Sequence, residues 1–365
     1  MHPGRWRWLA AASLLFFATI GAAEQASADL QRLLDDGHCP GCNLRGADLS
    51  GMRLMSADLS AANLRGAKLR KTILYHANLS GADLRDATLD RASMGRINLS
   101  AANLTGLDLH GARLAHAQLR NSKLVGADLS GSILDHVDLR HADLSMASLA
   151  KASLRGAMLD QAMLAGTNLA GADLQGLDLQ KLAAVQGADF SGARLDRARL
   201  DGLDLSSSRF DAADMPNAGL SSANLRGASM VGSNLRKAEL GGADLADTDL
   251  RGANLRGARL QGAALTSANL EESALGGNLV GTDFSNARLA RADLSGANLK
   301  DAVFRDADLR QTNFSSCNLY AADFTRANLK GANFRGANLR TATFTDALID
   351  GAVFEEARGA PGQRP

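Results

Sequence analysis

The chain has 365 residues, with 40 Lys and Arg against 39 Asp and Glu, a formal net charge of +1. That balance excludes the single-signed field by which a protein holds nucleic acid or imitates it. Aromatic residues make up 4% of the chain, too few for the ordinary cores of the two or three globular domains that the length would suggest.

Residues 1–23 read as a signal peptide. Arg5 and Arg7 supply a basic start, and the apolar run Leu9–Ile20 is short for a membrane span. Small residues follow, so cleavage is expected after Ala23, with Ala28 as the second choice. The expectation is a periplasmic or secreted bacterial protein with no transmembrane span once mature. Residues 24–42 follow as a cap. Ala26, Leu30, Leu33 and Leu34 recur at helical spacing, and Gly37 is placed to stop the helix. Cys39-Pro40-Gly41-Cys42 comes next. The pair has no βαβ context and no second C-x-x-C. In an exported chain a disulfide stapling cap to body is the favoured reading; a redox pair or a metal site stays open.

Residues 43–354 repeat five residues almost without pause, as in Gly296-Ala297-Asn298-Leu299-Lys300. A Leu falls at every fifth position from Leu44 to Leu179, with Met94 the only substitute, and a small residue such as Ala47, Ala57 or Ala62 sits two before it. Two apart in an extended chain means the same side, with the intervening polar residue pointing away. A helix fails: five residues rotate it by about 500°, which spirals successive Leu side chains round every face. Fixed-period self-similarity points to a solenoid whose units bury their apolar residues by stacking. Phe284, Phe304, Phe324 and Phe344 lie twenty apart, as do Phe314, Phe334 and Phe354, and Phe190 and Phe210. Twenty is four repeats, so four are expected to make one square coil, with like rings stacked in a core ladder. The register gains a residue near 180–185 and loses one near 276–279. The gain is expected to bulge at a corner. Residues 355–365 lack the repeat and read as a flexible tail, without an evident C-terminal cap.

These repeats resemble the pentapeptide repeat family, whose motif reads A-(D/N)-L-x-x, over nearly all of Asn43–Phe354. The resemblance implies an all-β solenoid, a right-handed quadrilateral β-helix with Leu, Phe and Ala inside. About sixteen coils at ~4.8 Å would give a rod of roughly 75 Å. The C-P-G-C just before the repeats is similar to that of exported members. Some members of the family imitate DNA and bind DNA gyrase; near-neutral charge and a signal peptide disfavour that alternative here.

Chemistry-bearing residues are sparse. His76, His116 and His136 share one outward column, and His116 and His136 would be one rung apart, a weak candidate metal pair. Arg45, Arg65 and Arg85 form another column, as do Lys300, Tyr320 and Arg340, with Asp interleaved. Asp48, Asp58, Asn63 and Asn78 read as hydrogen-bonding ladders between rungs. Cys317 reads as a buried thiol. No nucleophile elbow, phosphate loop, HExxH or EF-hand loop is present. The expectation is a non-enzymatic scaffold with no cofactor, offering flat faces to a protein or envelope partner, with a homodimer through a coil end as a possible assembly. A metal- or redox-linked envelope protein using the His column or Cys39 and Cys42 is the other alternative.

Overall fold

The computed structural model describes residues 25–361, so the expected signal peptide lies outside the described residues. Residues 25–36 form a helix, α1, which stops where Gly37 turns left-handed (φ 68) and its N–H reaches the Leu33 carbonyl at 2.9 Å. Leu33 is buried and Leu30 half-buried against the first coil. The segment after the helix enters the ladder at once: the Cys39 and Gly41 N–H groups donate to the Asp58 and Ser60 carbonyls, each at 2.7 Å.

From there the chain stacks on itself. Asn43 pairs in parallel with Asn63, Asp48 with Lys68, Arg53 with Ile73 and Asp58 with Asn78. The same offset of twenty recurs to the far end, where Asn338 pairs with Arg358. Each pentapeptide is a one-residue bridge followed by a two-residue turn, so four make a four-cornered coil. Extended runs are therefore short. Among the described residues only β1 (Asn254–Arg259) and β2 (Ala274–Asn278) form strands longer than a single bridge.

The corners explain the two polar positions of the repeat. The carbonyl of the central Leu accepts from the N–H three residues on, as from Ala47 to Leu44 at 3.1 Å. The second residue after the centre has positive φ, for example Ser56 at 57° and His116 at 57°. A left-handed third residue is what a type II turn requires. Met215-Pro216-Asn217 uses the favoured chemistry: Pro216 presets the first central position, and Asn217 tolerates φ 58 at the second.

Inside run columns of Leu, Phe and Ala. Phe284, Phe304 and Phe324 stack with ring centroids 4.9 and 5.0 Å apart, and Phe324 meets Phe344 at 5.0 Å. The opposite column, Phe314, Phe334 and Phe354, stacks likewise and touches the first edge-to-face, as at 5.6 Å between Phe304 and Phe314. Hydroxyls in the small inward slot have two fates. Thr72 and Thr167 donate to the Leu49 and Leu144 carbonyls at 2.8 Å, whereas the buried Ser132, Ser208 and Ser233 hydroxyls have no partner.

Two register changes interrupt the offset. Met163 pairs with Ala184, twenty-one residues on, because Ala183 is extra. The Ala183 N–H donates to Ala162 and the Ala184 carbonyl accepts from Leu164, so two residues oppose Met163. This bulge lies on a side, not at a corner as the sequence suggests, because the turn that follows, 186–187, keeps its two residues. The later change removes a residue: Ala264 pairs with Asp283, nineteen on. Gly277 there serves both as corner and as inward slot. Its φ is 98, and a Cβ would stand 2.7 Å from the Ala258 carbonyl oxygen, so only glycine fits.

The ladder also fails at four bridges among the described residues: Thr88 with Asp108, Ser93 with Arg113, Met158 with Asp178, and Ala184 with Asp204. Three of these lie directly after a Leu in the small slot, at Leu107, Leu177 and Leu203, and the fourth is next along the coil from Leu107. A Leu adds three carbons where the column otherwise holds Ala, or, for Leu203, meets the inward Leu182 of the preceding coil, and the stack yields toward that coil. Ile97 and Val137, more compact at the same slot, leave their bridges Asn78–Asn98 and Gln118–Asp138 intact. The ladder ends later than Phe354: Arg358 pairs with Asn338, its N–H donates to Ala337, and Ala360 is buried. Residues 355–360 therefore complete the last coil and are not a loose tail.

Candidate functional site

At the N-terminal end Cys39 and Cys42 are disulfide-bonded, with Cα atoms 5.5 Å apart. Both are buried, and Cys42 fills the inward slot before Leu44. The buried Asp29 of α1 joins them: its carboxylate accepts from the Asn43 N–H at 2.8 Å and from the Gln25 amide at 2.9 Å. The Cys39 sulfur lies 3.2 Å from the Asp29 carbonyl. A redox disulfide must admit an attacking thiolate. These sulfurs are closed off, and the arrangement ties helix to coil.

His116 and His136 stack with centroids 5.0 Å apart and planes 11° from parallel. Gly156 continues the column; a Cβ there would come 2.6 Å from His136 Nδ1, so the glycine makes room for the ring. His76 instead meets Tyr75 edge-on at 4.6 Å. No third metal donor joins the imidazole pair: the sole such cluster among the described residues is Asp29, Cys39 and Cys42.

Much of the charge on the faces is paired internally. Where the repeat reads Asp-Leu-Arg, the guanidinium folds back over the corner onto its own Asp, as in Asp83–Arg85, Asp138–Arg140, Asp249–Arg251 and Asp308–Arg310, each with a contact of 2.6 Å. The same carboxylates accept the Arg backbone N–H. Hydrogen bonds from Arg85 hold the Asp83 carboxyl below its ordinary value. For Asp138 burial pushes upward, but Arg140 hydrogen bonds and the charges of Arg140 and Arg120 prevail and lower it. Other pairs span rungs: Arg65–Asp86 at 2.9 Å and Arg326–Asp306 at 2.6 Å. Lys330 pairs with Asp350 at 3.6 Å, and Lys300 lies 5.9 Å from the Tyr320 ring. Asn and Asp side chains ladder between rungs, as from Asn63 to Asn43 at 3.2 Å and Asn78 to Asp58 at 3.0 Å. They also accept the N–H two residues on, a cap on those corners that the repeat pattern does not reveal. Cys317 is buried, donates to the Leu294 carbonyl at 3.0 Å, and is pushed up to about 12 by burial.

Two features stand apart from these self-contained surfaces. The first is a cleft of about 390 Å³ where the ladder fails beside Leu107. Leu89, Ala92, Met94 and Leu109 form its floor, and Asp90, Arg91, Asp108 and Arg113 its rim. The second is the last coil, where the inward Ile349 is 38% exposed although the inward centres from Leu44 to Leu339 are buried, and the outward-facing Leu348 and Val353 are 49% and 40% exposed, much like the outward Met158 and Met163. Both are foreshadowed in the sequence, by the enlarged slot residues Ile97, Leu107, Val137 and Leu177, which read as local swellings, and by the lack of an evident C-terminal cap, but the cleft itself is not. No described helix is long and apolar enough to cross a membrane.

Family models match most of the chain. Eight copies described as pentapeptide repeats run from 39–75 to 233–271, and a pentapeptide repeat region covers 278–354. Among solved structures, the chain is similar to HetL, a pentapeptide repeat protein involved in heterocyst differentiation regulation from the cyanobacterium Nostoc sp. strain PCC 7120. Identity is 27%, over 74% of this chain and 92% of that one, with a TM-score of 0.20. It is also similar to QnrB1, a plasmid-mediated fluoroquinolone resistance protein, at 17% identity over 70% and 89% of the two chains and a TM-score of 0.17. A third likeness is to a pentapeptide repeat protein of the Arabidopsis thaliana thylakoid lumen, at 27% over 40% and 69%, with a TM-score of 0.13. No match to a curated protein is found. On the extent of the matched repeats, the chain belongs to the pentapeptide repeat family.

Proposed function

We propose that the protein is an exported, non-catalytic interaction scaffold, a right-handed quadrilateral β-helix sealed at its N-terminal end and self-associating through its last coil. The observation that carries this reading is the asymmetry of the two ends. Helix α1 and a disulfide cover the first coil, whereas in the last described coil the inward Ile349 is 38% exposed and the outward-facing Leu348 and Val353 give that coil an apolar margin. An apolar coil end with open backbone edges is a template for pairing. The sides support the same reading from the other direction. Many of their acids and bases are tied into rung-spanning and corner-folded pairs, which leaves rigid faces of mixed sign for a protein or envelope partner. A gyrase-binding DNA imitation would call for an acidic face, and a net charge of +1 with paired Asp does not provide one.

Two measurements test the reading. N-terminal sequencing of the protein from fractionated cells should find a start at Glu24 or Asp29 in the periplasmic or secreted fraction; an intact Met1 in the cytosol sinks export. Light scattering on the purified protein should give a dimer that Leu348→Lys with Val353→Lys converts to monomer. A wild-type monomer at about 100 μM, weaker than ordinary specific association, removes the coil-end contact.

A further inference from the structure

We infer that the cleft beside Leu107 is a docking slot for a short extended peptide segment of a partner protein, which deepens the scaffold reading by naming what one face would hold. The chemistry of its two edges carries the inference. On the preceding coil, the N–H groups of Leu89 and Met94 lack the ladder bonds to the Asp108 and Arg113 carbonyls that their neighbours in the columns form. The reverse bonds, from the Asp108 and Arg113 N–H groups to the Ala87 and Ala92 carbonyls, are missing as well. Backbone groups facing an apolar floor need partners. The complement of two edges that each carry donors and acceptors at strand spacing is an extended peptide backbone, as when a strand is added to a sheet.

Of the other failures, the one at Ala184 is partly plugged by the chain itself: the Gln186 side chain accepts the Val185 N–H at 3.2 Å. At Met158 and Asp178 the Leu159 and Asp178 N–H groups lack their ladder bonds too, so the Leu107 site is set apart by its two adjacent failed bridges and the cleft they open. At the first cleft the nearest candidate, His110, is engaged away from it with the Ser130 hydroxyl at 2.8 Å. The cleft's volume of about 390 Å³ falls within the range of small-ligand sites, ~300–1,000 Å³. Leu89, Met94 and Leu109 offer an apolar seat for one inserted side chain, and the rim carries both signs, which suits a peptide better than a polyanion.

Hydrogen–deuterium exchange on the full chain, resolved by residue, tests this directly. The amides of Leu89, Met94, Asp108 and Arg113 should exchange at least about tenfold faster than those one rung further along. A blocked tetrapeptide of alternating leucine and threonine, at millimolar concentration, should slow them, and its N-methylated counterpart should not. Leu107→Ala restores the repeat, closes the ladder, slows these amides without peptide and abolishes the peptide effect. Slow exchange in the unliganded wild type, no protection by the peptide, or equal protection by the N-methylated form each overturns the inference. Should Leu107→Ala fold poorly, the contrast between the two peptides on the wild type still decides. The assay reads the cleft alone, so its failure leaves the coil-end and export tests of the scaffold reading untouched.

Discussion

At the residue scale the small inward slot is the sensitive position, because each slot lies between two others a rung away and has no spare volume. Its tolerance depends on what the side chain does with its polar atom. Thr167 directs its hydroxyl to the Leu144 carbonyl at 2.8 Å, whereas the Ser132, Ser208 and Ser233 hydroxyls are buried without a partner. An unsatisfied buried hydroxyl carries its desolvation cost with nothing to offset it. Ser132→Ala, Ser208→Ala and Ser233→Ala should therefore each hold or raise stability, by up to about 1 kcal/mol, while Thr167→Val should lower it by about 1 kcal/mol. Chemical denaturation of the four variants measures both. A loss of stability in all three serine variants would mean that the hydroxyls have partners, such as bound water.

At the element scale the cap and the first coil form one unit. Asp29, Cys39 and Cys42 converge there, and the loop closed by the disulfide is only four residues long, so the bond's effect through the unfolded chain is at most about 2 kcal/mol. In a stacked architecture such a change is felt locally. Replacing Cys39 and Cys42 with Ser should speed amide exchange across 25–60 while leaving the Phe-rich coils near 300–340 unchanged; uniform acceleration along the chain would show that the cap nucleates the whole stack. Much of this element was legible in the sequence: the apolar spacing of α1, the stop at Gly37 and the position of Cys42 in an inward slot all follow from residue type and register. Asp29 was not, because its role depends on which side of the helix meets the Asn43 N–H, and periodicity alone does not fix that. Register changes were visible as broken spacing. Their geometry was not: whether an extra residue bulges at a side or a corner depends on which turn keeps its hydrogen bond. The ladder failures were half legible: Leu107 and Leu177 stand out as oversized for the Ala slot and read as local swellings, as do Ile97 and Val137, but that the bridge opens beside Leu and holds beside the β-branched pair depends on packing that spacing does not show.

At the scale of the whole molecule, charge is spread as many equal pairs along the stack, and acid should act on all of it at once. Hydrogen bonds from Arg side chains lower the carboxyls of Asp83, Asp249 and Asp308, and those from the neighbouring Ser130 lower that of Asp128. For Asp138, Asp293 and Asp323 burial opposes and the hydrogen bonds prevail. A carboxyl whose pKa is depressed in the folded state contributes stability that is fully present above its unfolded value, near 4, and is lost as pH falls through the folded value. These side chains are partly open to solvent, so each contribution is small and their number matters more than any single pair. Acid also leaves 40 Lys and Arg and 7 His without counter-charge, a repulsion that salt screens. Thermal melts followed by circular dichroism from pH 7 to 2.5, in about 0.5 M salt to suppress that repulsion, should show the midpoint falling only below about pH 4. Asp138, whose side chain is 11% exposed and faces both Arg140 and Arg120, is a carboxylate whose replacement should register by itself. Asp138→Asn should lower the midpoint at pH 7 and flatten its fall in acid, because the variant has one proton fewer to take up on unfolding. A midpoint that stays level to pH 3 in the wild type would mean that the paired carboxylates are matched by equal partners in the unfolded chain, and that stacking of Leu, Phe and Ala alone sets the stability of the coil.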